Sequence, residues 1–345
     1  MKSTAQKFNH HSALVIGKFM PMHKGHKALI DFACSQAQRV TVCVLGCPSE
    51  PISLSLRADW VSKTFHDKFG LPTKPSLEVL SVEYDDAVLN SSSESDVQSS
   101  IEWAEFLRQI INNNEIDVIV GSEKYVQYMA EYLGINHIIY DEDRTKMSIS
   151  ATAIKNNIVE NWDYLLPHVK QYYAKHVCIS GSESTGKTTV CASLEKKYPF
   201  VTMIPEIGRC LVGNAKTCAM NTLKEVMRIH GHLINQVLYD PPTPITIWDT
   251  DNITTQSYYR WMFNINPIIS QTGFANKYFF FDSTIPYEKD ATRVTETDAL
   301  LLKESHIKCF NEWRINLEMV TENREETVDE WIIKTMKDIE NQIKG

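Results

Sequence analysis

Short apolar runs alternate with amphipathic stretches along most of this chain. In the first half, the run "ALVIGKF" precedes the helical pattern "KGHKALIDFACSQA", and the apolar runs "VTVCVLG", "IDVIVGS" and "HIIYD" follow. Apolar runs of strand length separated by helical patterns are typical of βα units, in which helices cover a parallel sheet. The first half therefore predicts an α/β domain with a parallel sheet.

A second series of the same kind begins near residue 176. The runs "HVCISGS", "ITIWDTD" and "KYFFFDST" predict strands, "FVTMI" is a shorter strand-like run, and "TTVCASLEKKY" predicts a helix. A chain of 345 residues exceeds what one hydrophobic core usually supports. We therefore predict an α/β fold of two parallel-sheet domains, residues 1–174 and residues 175–345.

Two connecting segments differ sharply in composition. The segment "NNIVENWDYLLPHVKQYYAK" is aromatic and apolar at near-helical spacing, which predicts a packed helical connection between the domains. The segment "LNSSSESDVQSS", residues 89–100, is polar and serine-rich. It predicts a loop, either a surface insertion or a mobile loop near a substrate.

Composition and charge restrict the class of protein. No run of about 18 apolar residues exists, and the start "MKSTAQKFNHHS" lacks an apolar segment, so we expect no membrane span, no secretory signal and a cytoplasmic location. The net charge of -8 disfavours a broad nucleic-acid surface. The 8 cysteines lie in apolar segments without C-x-x-C pairs, which indicates buried thiols rather than disulfides or zinc ligands. Oligomeric state stays open, a homo-oligomer included.

The stretch "GSESTGKT" matches the phosphate-binding loop G-x-x-x-x-G-K-[ST]. It follows an apolar strand and opens a helix, which is the context that this motif requires. Glycines let backbone N–H groups converge on phosphate oxygens, Lys187 reaches the β- and γ-phosphates, and the Thr188 hydroxyl is a Mg²⁺ ligand. The predicted ATP-binding residues of this loop are Gly181, Ser182, Glu183, Ser184, Thr185, Gly186, Lys187, Thr188 and Thr189.

A kinase also needs carboxylates near the metal ion and near the attacking hydroxyl. Asp249 ends the strand "ITIWD", where an open parallel sheet presents ligand groups, and we assign it to the Mg²⁺ shell with Thr188. Glu206, in "IPEIGR", is assigned to substrate positioning or to the general base. Either carboxylate alone is also consistent with a helix cap or a surface position. Arg293, in "EKDATR", is assigned to a lid over the transferred phosphate, a solvated arginine being the alternative.

The stretch "GKFMPMHKGH" predicts a second phosphate site. An apolar strand leads into a loop with His23 and His26, and Gly25 between them favours a tight turn that opens a helix. Lys18 supplies charge, and the histidines are assigned as donors to negative charge that develops on phosphorus. Zinc ligation and a core histidine are the alternatives. Far along the chain, "SISATAIK" places hydroxyls at a helix start, which alone is only an N-cap.

Together these stretches resemble a known family. "GKFMPMHKGH" and "ISATAIK" look like the two signatures of the nucleotidyltransferase superfamily, and "LRADW", "DEDRT", the phosphate loop, "PEIGR" and "WDTDNITTQ" follow in the order of the bifunctional NadR family. The resemblance covers about residues 12–300. Its motifs are individually moderate but jointly very specific.

The resemblance implies two consecutive steps of NAD salvage. Residues 1–174 would form a Rossmann-like nicotinamide mononucleotide (NMN) adenylyltransferase, and residues 175–345 a P-loop ribosylnicotinamide kinase. The kinase would phosphorylate nicotinamide riboside to NMN with ATP and Mg²⁺, and the first domain would join NMN to a second ATP, giving NAD and pyrophosphate. The implied partners are thus small molecules: ATP, nicotinamide riboside and NMN.

The resemblance also assigns residues, position by position. Those implied for the first ATP site are Gly17, Lys18, Phe19, His23, Gly25, His26, Ser150, Thr152 and Lys155. Those implied for substrate binding are Arg57, Trp60, Trp103, Glu206, Arg209 and Asp251. Trp103 is expected either to stack on nicotinamide or to lie in the core.

Departures from the family pattern add expectations. The motif that often ends in arginine ends here in Lys155, which keeps the charge but loses the bidentate fork, so weaker adenylyl transfer is expected. About a dozen residues precede the first strand, so we expect no N-terminal helix-turn-helix and no operator binding. Two other hypotheses stay open: the same chemistries on a pantetheine-phosphate or flavin acceptor, and a nucleotide sensor without turnover.

Overall fold

The chain divides into two compact units, residues 1–169 with 342–345, and residues 170–341. The computed structural model describes residues 8–66, 75–87, 89, 96–111, 116–212, 218–269, 271–282 and 295–344. The division lies just before the boundary predicted after residue 174, which stays a prediction. Of the predicted serine-rich loop, residues 90–95 lie outside the described residues.

The first unit contains a parallel sheet with strand order β3-β2-β1-β4-β5. Its elements in chain order are β1 (His10–Gly17), α1 (Lys24–Gln36), β2 (Ala37–Gly46), α2 (Leu54–Thr64), β3 (Ser76–Glu83), α3 (Val97–Ile110), β4 (Val118–Gly121), α4 (Tyr125–Leu133), β5 (Asn136–Ile139) and α5 (Ala151–Asn156). A short 3-10 helix, Trp162–Tyr164, and α6 (Pro167–Tyr173) follow, in the segment for which the sequence predicts helix.

The second unit contains a parallel sheet with strand order β10-β9-β6-β8-β7. Its elements are β6 (Lys175–Gly181), α7 (Lys187–Lys197), β7 (Val201–Ile204), α8 (Gly208–Leu211), α9 (Met220–Tyr239), β8 (Ile245–Asp249), α10 (Asn252–Phe263), β9 (Lys277–Phe281), α11 (Glu296–Glu312), β10 (Leu317–Val320) and α12 (Arg324–Lys344). The predicted fold class, two parallel-sheet α/β domains, is confirmed.

The central strands are buried because their apolar residues point to both faces of each sheet. In β4 and β8 every residue is buried, as expected for parallel strands covered by helices on both sides. The edge strands β3 and β10 carry exposed residues and lack a continuous apolar run. In the described part of the chain, no helix is long and apolar enough to cross a membrane.

In each sheet the strand that comes first in the chain lies in the centre. β1 pairs with β2 on one side and β4 on the other, and β6 pairs with β8 and β9. At such a point the following connections leave in opposite directions and open a crevice at the carboxyl ends of the strands. Both phosphate motifs directly follow these central strands, so each lies at the crevice of its own sheet.

The cysteines are free thiols, and most of them are interior. Cys34, Cys43, Cys47, Cys178, Cys191 and Cys309 are buried, as predicted. Cys210, in the short helix α8, is exposed, and Cys218 is partly exposed. The prediction of buried thiols is therefore wrong for Cys210, because α8 lies at the surface rather than in a strand.

Candidate functional site

The phosphate loop of the second unit connects β6 to α7 through three residues with left-handed backbone. Gly181, Ser184 and Gly186 have φ values of 138, 61 and 82 degrees. A Cβ atom at Gly181 would lie 2.3 Å from the carbonyl oxygen of Phe281 in the neighbouring strand, so only glycine fits there. Left-handed residues in such a loop allow successive backbone N–H groups to converge on one anion.

Two side chains of the loop are held in place by short hydrogen bonds. Lys187 is almost buried, and its ammonium donates to the carbonyl oxygens of Gly181 at 3.1 Å and Ser182 at 2.8 Å. The Thr188 hydroxyl donates to Asp249 Oδ2 at 2.6 Å. A threonine hydroxyl and a buried carboxylate side by side are hard oxygen ligands, and they fit Mg²⁺.

The two predicted kinase carboxylates lie at the ends of adjacent strands. Ile204 of β7 pairs with Trp248 of β8, so Glu206 and Asp249 follow neighbouring strands at the same edge of the sheet. Glu206 is partly exposed, whereas Asp249 is fully buried. The side chain of Arg209 and all of Arg293 lie outside the described residues.

Asp251 was expected to contact substrate, but it lies in the interior of the second unit. It is fully buried and caps α10, where its Oδ1 accepts the N–H groups of Ile253 at 3.0 Å and Thr254 at 3.2 Å. Its Oδ2 accepts the hydroxyl of Tyr278 at 3.0 Å. Burial raises the pKa of Asp251 to about 6, although these hydrogen bonds oppose the shift. We correct the sequence expectation: Asp251 is a structural helix cap.

A tyrosine that sequence analysis missed contacts the phosphate loop. The hydroxyl of Tyr258 in α10 donates to Glu183 Oε1 at 2.9 Å. The ring of Tyr258 packs edge-on against the buried His306 at 5.2 Å, and the imidazole Nδ1 of His306 bonds the Ser257 hydroxyl. Helices α10 and α11 thus support the loop from one side. No motif marks this contact in the sequence, because it joins positions 75 residues apart.

In the first unit the two histidines of the phosphate motif stack on each other. Their ring centroids lie 3.7 Å apart, and His23 caps α1 by accepting the N–H groups of Gly25 at 3.1 Å and His26 at 3.4 Å on Nδ1. An acceptor at Nδ1 leaves the proton of a neutral His23 on Nε2. A Cβ at Gly25 would lie 2.9 Å from the His23 ring, which explains the glycine between them.

Both histidines are neutral at pH 7. Burial, with a smaller contribution from Arg144, lowers the pKa of His23 to about 4. Burial, His23 and Arg144 together lower the pKa of His26. His26 Nδ1 is buried and has no hydrogen-bond partner among the described residues. The pair can therefore donate hydrogen bonds to a ligand but carries no positive charge.

A cavity of about 430 Å³ opens at the end of β1. Among its lining residues are two lysines, three aromatic rings and members of both predicted motifs: Gly17, Lys18, Phe19, His26, Trp103, Tyr125, Thr152 and Lys155. Burial and then the charge of Lys18 lower the pKa of Lys155. The Trp103 ring meets Tyr84 edge-on at 4.9 Å and still lines the cavity. These residues, far apart in sequence, form a cationic site with an aromatic wall.

A buried ion pair between Glu50 and Arg57 fixes both the backbone and the side chain of Lys18. Arg57 is completely buried and donates to Glu50 Oε2 at 2.5 Å and to the carbonyl oxygen of Lys18 at 2.8 Å. Glu50 Oε1 accepts the Lys18 ammonium at 2.9 Å and the Tyr84 hydroxyl at 3.3 Å. Burial alone would raise the pKa of Glu50, but the hydrogen bond from Lys18 and the charge of Arg57 outweigh it and lower the pKa.

These contacts correct two sequence expectations. Arg57 and Trp60 were expected to contact substrate, but Trp60 has 1% of its surface exposed and Arg57 none, and neither lines the cavity. Arg57 reaches the site indirectly, through its hydrogen bonds with Lys18, Leu45 and Glu50. Sequence analysis missed Glu50 itself, since "PSEP" carries no pattern that indicates a buried carboxylate.

A smaller cavity of about 200 Å³ adjoins the first. It is lined by the histidine pair, the start of α5 and the loop before it, and its polar lining residues include His23, His26, Ser122, Glu123, Asp141, Arg144, Ser150 and Thr152. Ser150 caps α5 by accepting the N–H of Ala153 at 3.1 Å. His26, Glu123 and Thr152 line both cavities, so the two meet beside His26 and the start of α5. Arg144 lies within the stretch "DEDRT", the signal by which it could have been selected.

Comparisons with known proteins agree with the motifs. A family model described as an AAA domain matches residues 176–327. The chain is 28% identical over 270 residues to the trifunctional NAD biosynthesis/regulator protein NadR of Escherichia coli strain K12, covering 72% of this chain and 62% of that protein. It is 27% identical over 273 residues to the protein of the same description from Salmonella typhimurium strain LT2, with the same coverage. The match thus spans less than two thirds of the length of these relatives.

A solved structure also matches over most of the chain. The crystal structure of NadR protein in complex with NAD and AMP-PNP aligns with a TM-score of 0.50 at 17% identity, covering 92% of this chain and 93% of that chain. At this identity the likeness concerns the fold alone. With the sequence matches, it confirms the resemblance to the NadR family that the motifs predict.

Proposed function

We propose that this chain is a bifunctional enzyme of NAD salvage. The second unit phosphorylates nicotinamide riboside with ATP, and the first unit transfers the adenylyl group of a second ATP to the NMN so formed. One observation carries the proposal: in each of the two parallel sheets, a cation-bearing phosphate motif follows the central strand. The similarity to NadR proteins supports nicotinamide substrates.

In the kinase reaction, the riboside 5′-oxygen attacks the γ-phosphorus, and the bond to the β–γ bridging oxygen breaks. Lys187 exchanges its two carbonyl partners for phosphate oxygens, which develop negative charge in the transition state. Thr188 and Asp249 would hold Mg²⁺, which would supply positive charge near the phosphates. Glu206, at the adjacent strand end, positions the riboside or accepts the hydroxyl proton.

In the adenylyl transfer, an NMN phosphate oxygen attacks the α-phosphorus of ATP, and pyrophosphate leaves. The attacking oxygen is already ionised, so this step needs orientation and charge stabilisation rather than a base. Neutral His23 and His26 donate hydrogen bonds to the α-phosphate, while Lys18 and Lys155 bind anionic phosphate oxygens. Trp103 stacks on the nicotinamide ring in the larger cavity.

The two activities should separate by mutation. Lys187→Ala should abolish NMN formation from riboside and leave NAD formation from NMN, because the lysine belongs only to the phosphate loop of the second unit. His26→Ala should do the reverse, since its ring lines both cavities of the first unit. A chromatographic assay of NMN and NAD with Mg-ATP measures both reactions in one sample.

Matched controls make this test specific. Lys196→Ala changes an exposed lysine at the other end of the same helix, and His137→Ala changes an exposed histidine in β5; both should keep both activities. Loss of both activities in either folded site variant would contradict independent sites. Nucleotide binding by the wild type without any product would favour a sensor instead.

A further inference from the structure

The smaller cavity of the first unit contains a charged residue, Arg144, to which the sequence analysis assigns no role. Its lining includes the histidine pair, the hydroxyls of Ser150 and Thr152, and the carboxylates of Glu123 and Asp141. Among the described residues that line this cavity, Arg144 is the one lysine or arginine. Lys18 and Lys155 line the larger cavity instead. Arg144 is therefore the side chain that can pair with an anion in the smaller cavity.

The loop that carries Arg144 is fixed by the carboxylate of Asp141. This carboxylate accepts the N–H groups of Lys146 and Met147, each at 2.9 Å, and the Thr145 hydroxyl at 3.3 Å. The Arg144 N–H donates to the carbonyl oxygen of Asp141 at 2.8 Å. These hydrogen bonds within the loop fix its backbone. The Arg144 guanidinium therefore extends from an ordered backbone.

The contact that Arg144 makes with Glu123 is weak enough to exchange for a ligand. The guanidinium lies 3.4 Å from Glu123 Oε1, and both side chains are 43% exposed. Ion pairs of this length and exposure contribute little to stability because water screens them. A phosphate carries more charge than a carboxylate and matches the planar guanidinium with two parallel hydrogen bonds.

The histidine pair supplies no positive charge to a bound anion. His23 and His26 are neutral at pH 7, so they donate hydrogen bonds without balancing the charge of a polyphosphate. Arg144 is close enough for its charge to contribute to both lowered pKa values. The His26 ring lines the same cavity, and its buried Nδ1 has no partner among the described residues.

We propose that Arg144 binds the phosphates of ATP beside the histidine pair in the smaller cavity. The inference rests on the proposed adenylyl transfer and adds to it the residue that supplies positive charge on the ATP side. Lys18 and Lys155 then bind the anionic groups in the larger cavity.

The test measures binding of Mg-ATP, AMP and adenosine in a Lys187→Ala background, in which the phosphate loop of the second unit is weakened. Arg144→Ala should weaken the binding of ATP and AMP about tenfold or more, the range of a lost charge-assisted hydrogen bond. The affinity for adenosine should change less than about twofold. Arg144→Lys should recover part of the loss. Lys146→Ala, an exposed cation on the same loop that does not line the cavity, should bind all three ligands like the background.

Two outcomes would overturn the inference. If Arg144→Ala weakened the binding of adenosine and ATP equally, Arg144 would contact the base or maintain the cavity. If ATP binding were unchanged, Arg144 would not contact phosphate. NAD formation from NMN is measured in parallel. If the wild type forms no NAD while Arg144→Ala still loses phosphate-dependent binding, the proposed function fails and the assignment of Arg144 stands.

Discussion

Glu50 shows how one buried carboxylate organises the larger cavity. It accepts hydrogen bonds from Lys18, Arg57 and Tyr84, and Arg57 also holds the backbone of Lys18. Burial lowers the pKa of the Lys18 ammonium, but the hydrogen bonds with Tyr84 and Glu50 outweigh it and raise the pKa. Lys18 therefore stays charged and fixed at the end of β1, where a substrate phosphate is proposed to bind.

Glu50→Gln should lower kcat/KM for NAD formation about tenfold, the effect of losing roughly one charge-assisted hydrogen bond. Glutamine keeps the shape of the side chain but leaves Lys18 and the buried Arg57 without a negative partner. Phosphorylation of riboside in the second unit should not change. Initial rates of both reactions, with NMN and riboside supplied separately, measure the two effects.

The control is Glu83→Gln, which changes an exposed carboxylate at the end of β3 and should keep both rates. Glu50→Asp keeps the charge on a shorter side chain and should recover part of the loss. NAD formation by a folded Glu50→Gln variant at the wild-type rate would show that Glu50 does not position Lys18 for the reaction.

At this scale, sequence reasoning located the residues of short motifs and failed for contacts between distant positions. Gly181, Lys187, His23 and His26 are fixed by local strand-to-helix turns whose chemistry is contiguous in sequence. Glu50 joins Lys18 and Arg57 only because β1, β2 and α2 pack together, which no spacing reveals.

Among the elements, α10 is unusual because its first turns are polar and buried. The side chains of Asp251, Asn252, Thr254 and Ser257 all lie in the interior. Such groups are tolerated when they are hydrogen-bonded, and Asp251 caps the helix while Asn252 donates to the carbonyl oxygen of Met227 at 3.0 Å. The stretch thus forms a rigid polar support beside the phosphate loop, and its carboxylate was mistaken for a substrate ligand.

Burial of the Asp251 cap makes the stability of the second unit depend on pH. The pKa of Asp251 in the folded protein, about 6, lies above the ordinary 3.8, so the folded state binds the proton more tightly than the unfolded state. The stability that this proton binding adds is complete below about pH 4 and is lost as the pH rises through 6. Asp251→Asn removes this titration and keeps a capping oxygen. Between pH 4 and 7 the unfolding free energy of the variant should rise relative to wild type by about 2 kcal/mol. Denaturant unfolding followed by tryptophan fluorescence measures the difference.

An exposed N-cap provides the control of opposite sign. Asp96 caps α3, and a hydrogen bond with Ser99 lowers its pKa, so its contribution is present at neutral pH and is lost as the pH falls. Asp96→Asn should therefore lose stability relative to wild type as the pH rises. A difference between Asp251→Asn and wild type that stays constant from pH 4 to 7 would contradict the assigned pKa shift.

The predictability of elements follows their burial. The apolar runs of β1, β2, β4, β6, β8 and β9 predict strands because central parallel strands are covered on both faces. Of the four edge strands in the two described sheets, β5 and β7 were predicted, whereas β3 and β10 were missed, since their exposed positions interrupt the apolar pattern. The order of strands within each sheet could not be predicted, because it depends on packing between elements rather than on any one of them.

At the scale of the whole molecule, two sheets of different strand order place the same kind of chemistry at the same kind of position. One has the order β3-β2-β1-β4-β5 and the other β10-β9-β6-β8-β7, yet each carries a phosphate motif after its central strand. Two such sites in one chain fit two consecutive reactions on one substrate. The product of the proposed kinase reaction, a mononucleotide, is what the cationic and aromatic cavity of the first unit is proposed to accept.

The most direct test of the two-step proposal is a chromatographic product assay with Mg-ATP, offering nicotinamide riboside in one tube and NMN in another. The proposal predicts NAD from both tubes, with NMN appearing before NAD in the first. NMN that accumulates from riboside with no NAD in either tube would contradict it, leaving an active kinase beside a first unit of different or lost specificity.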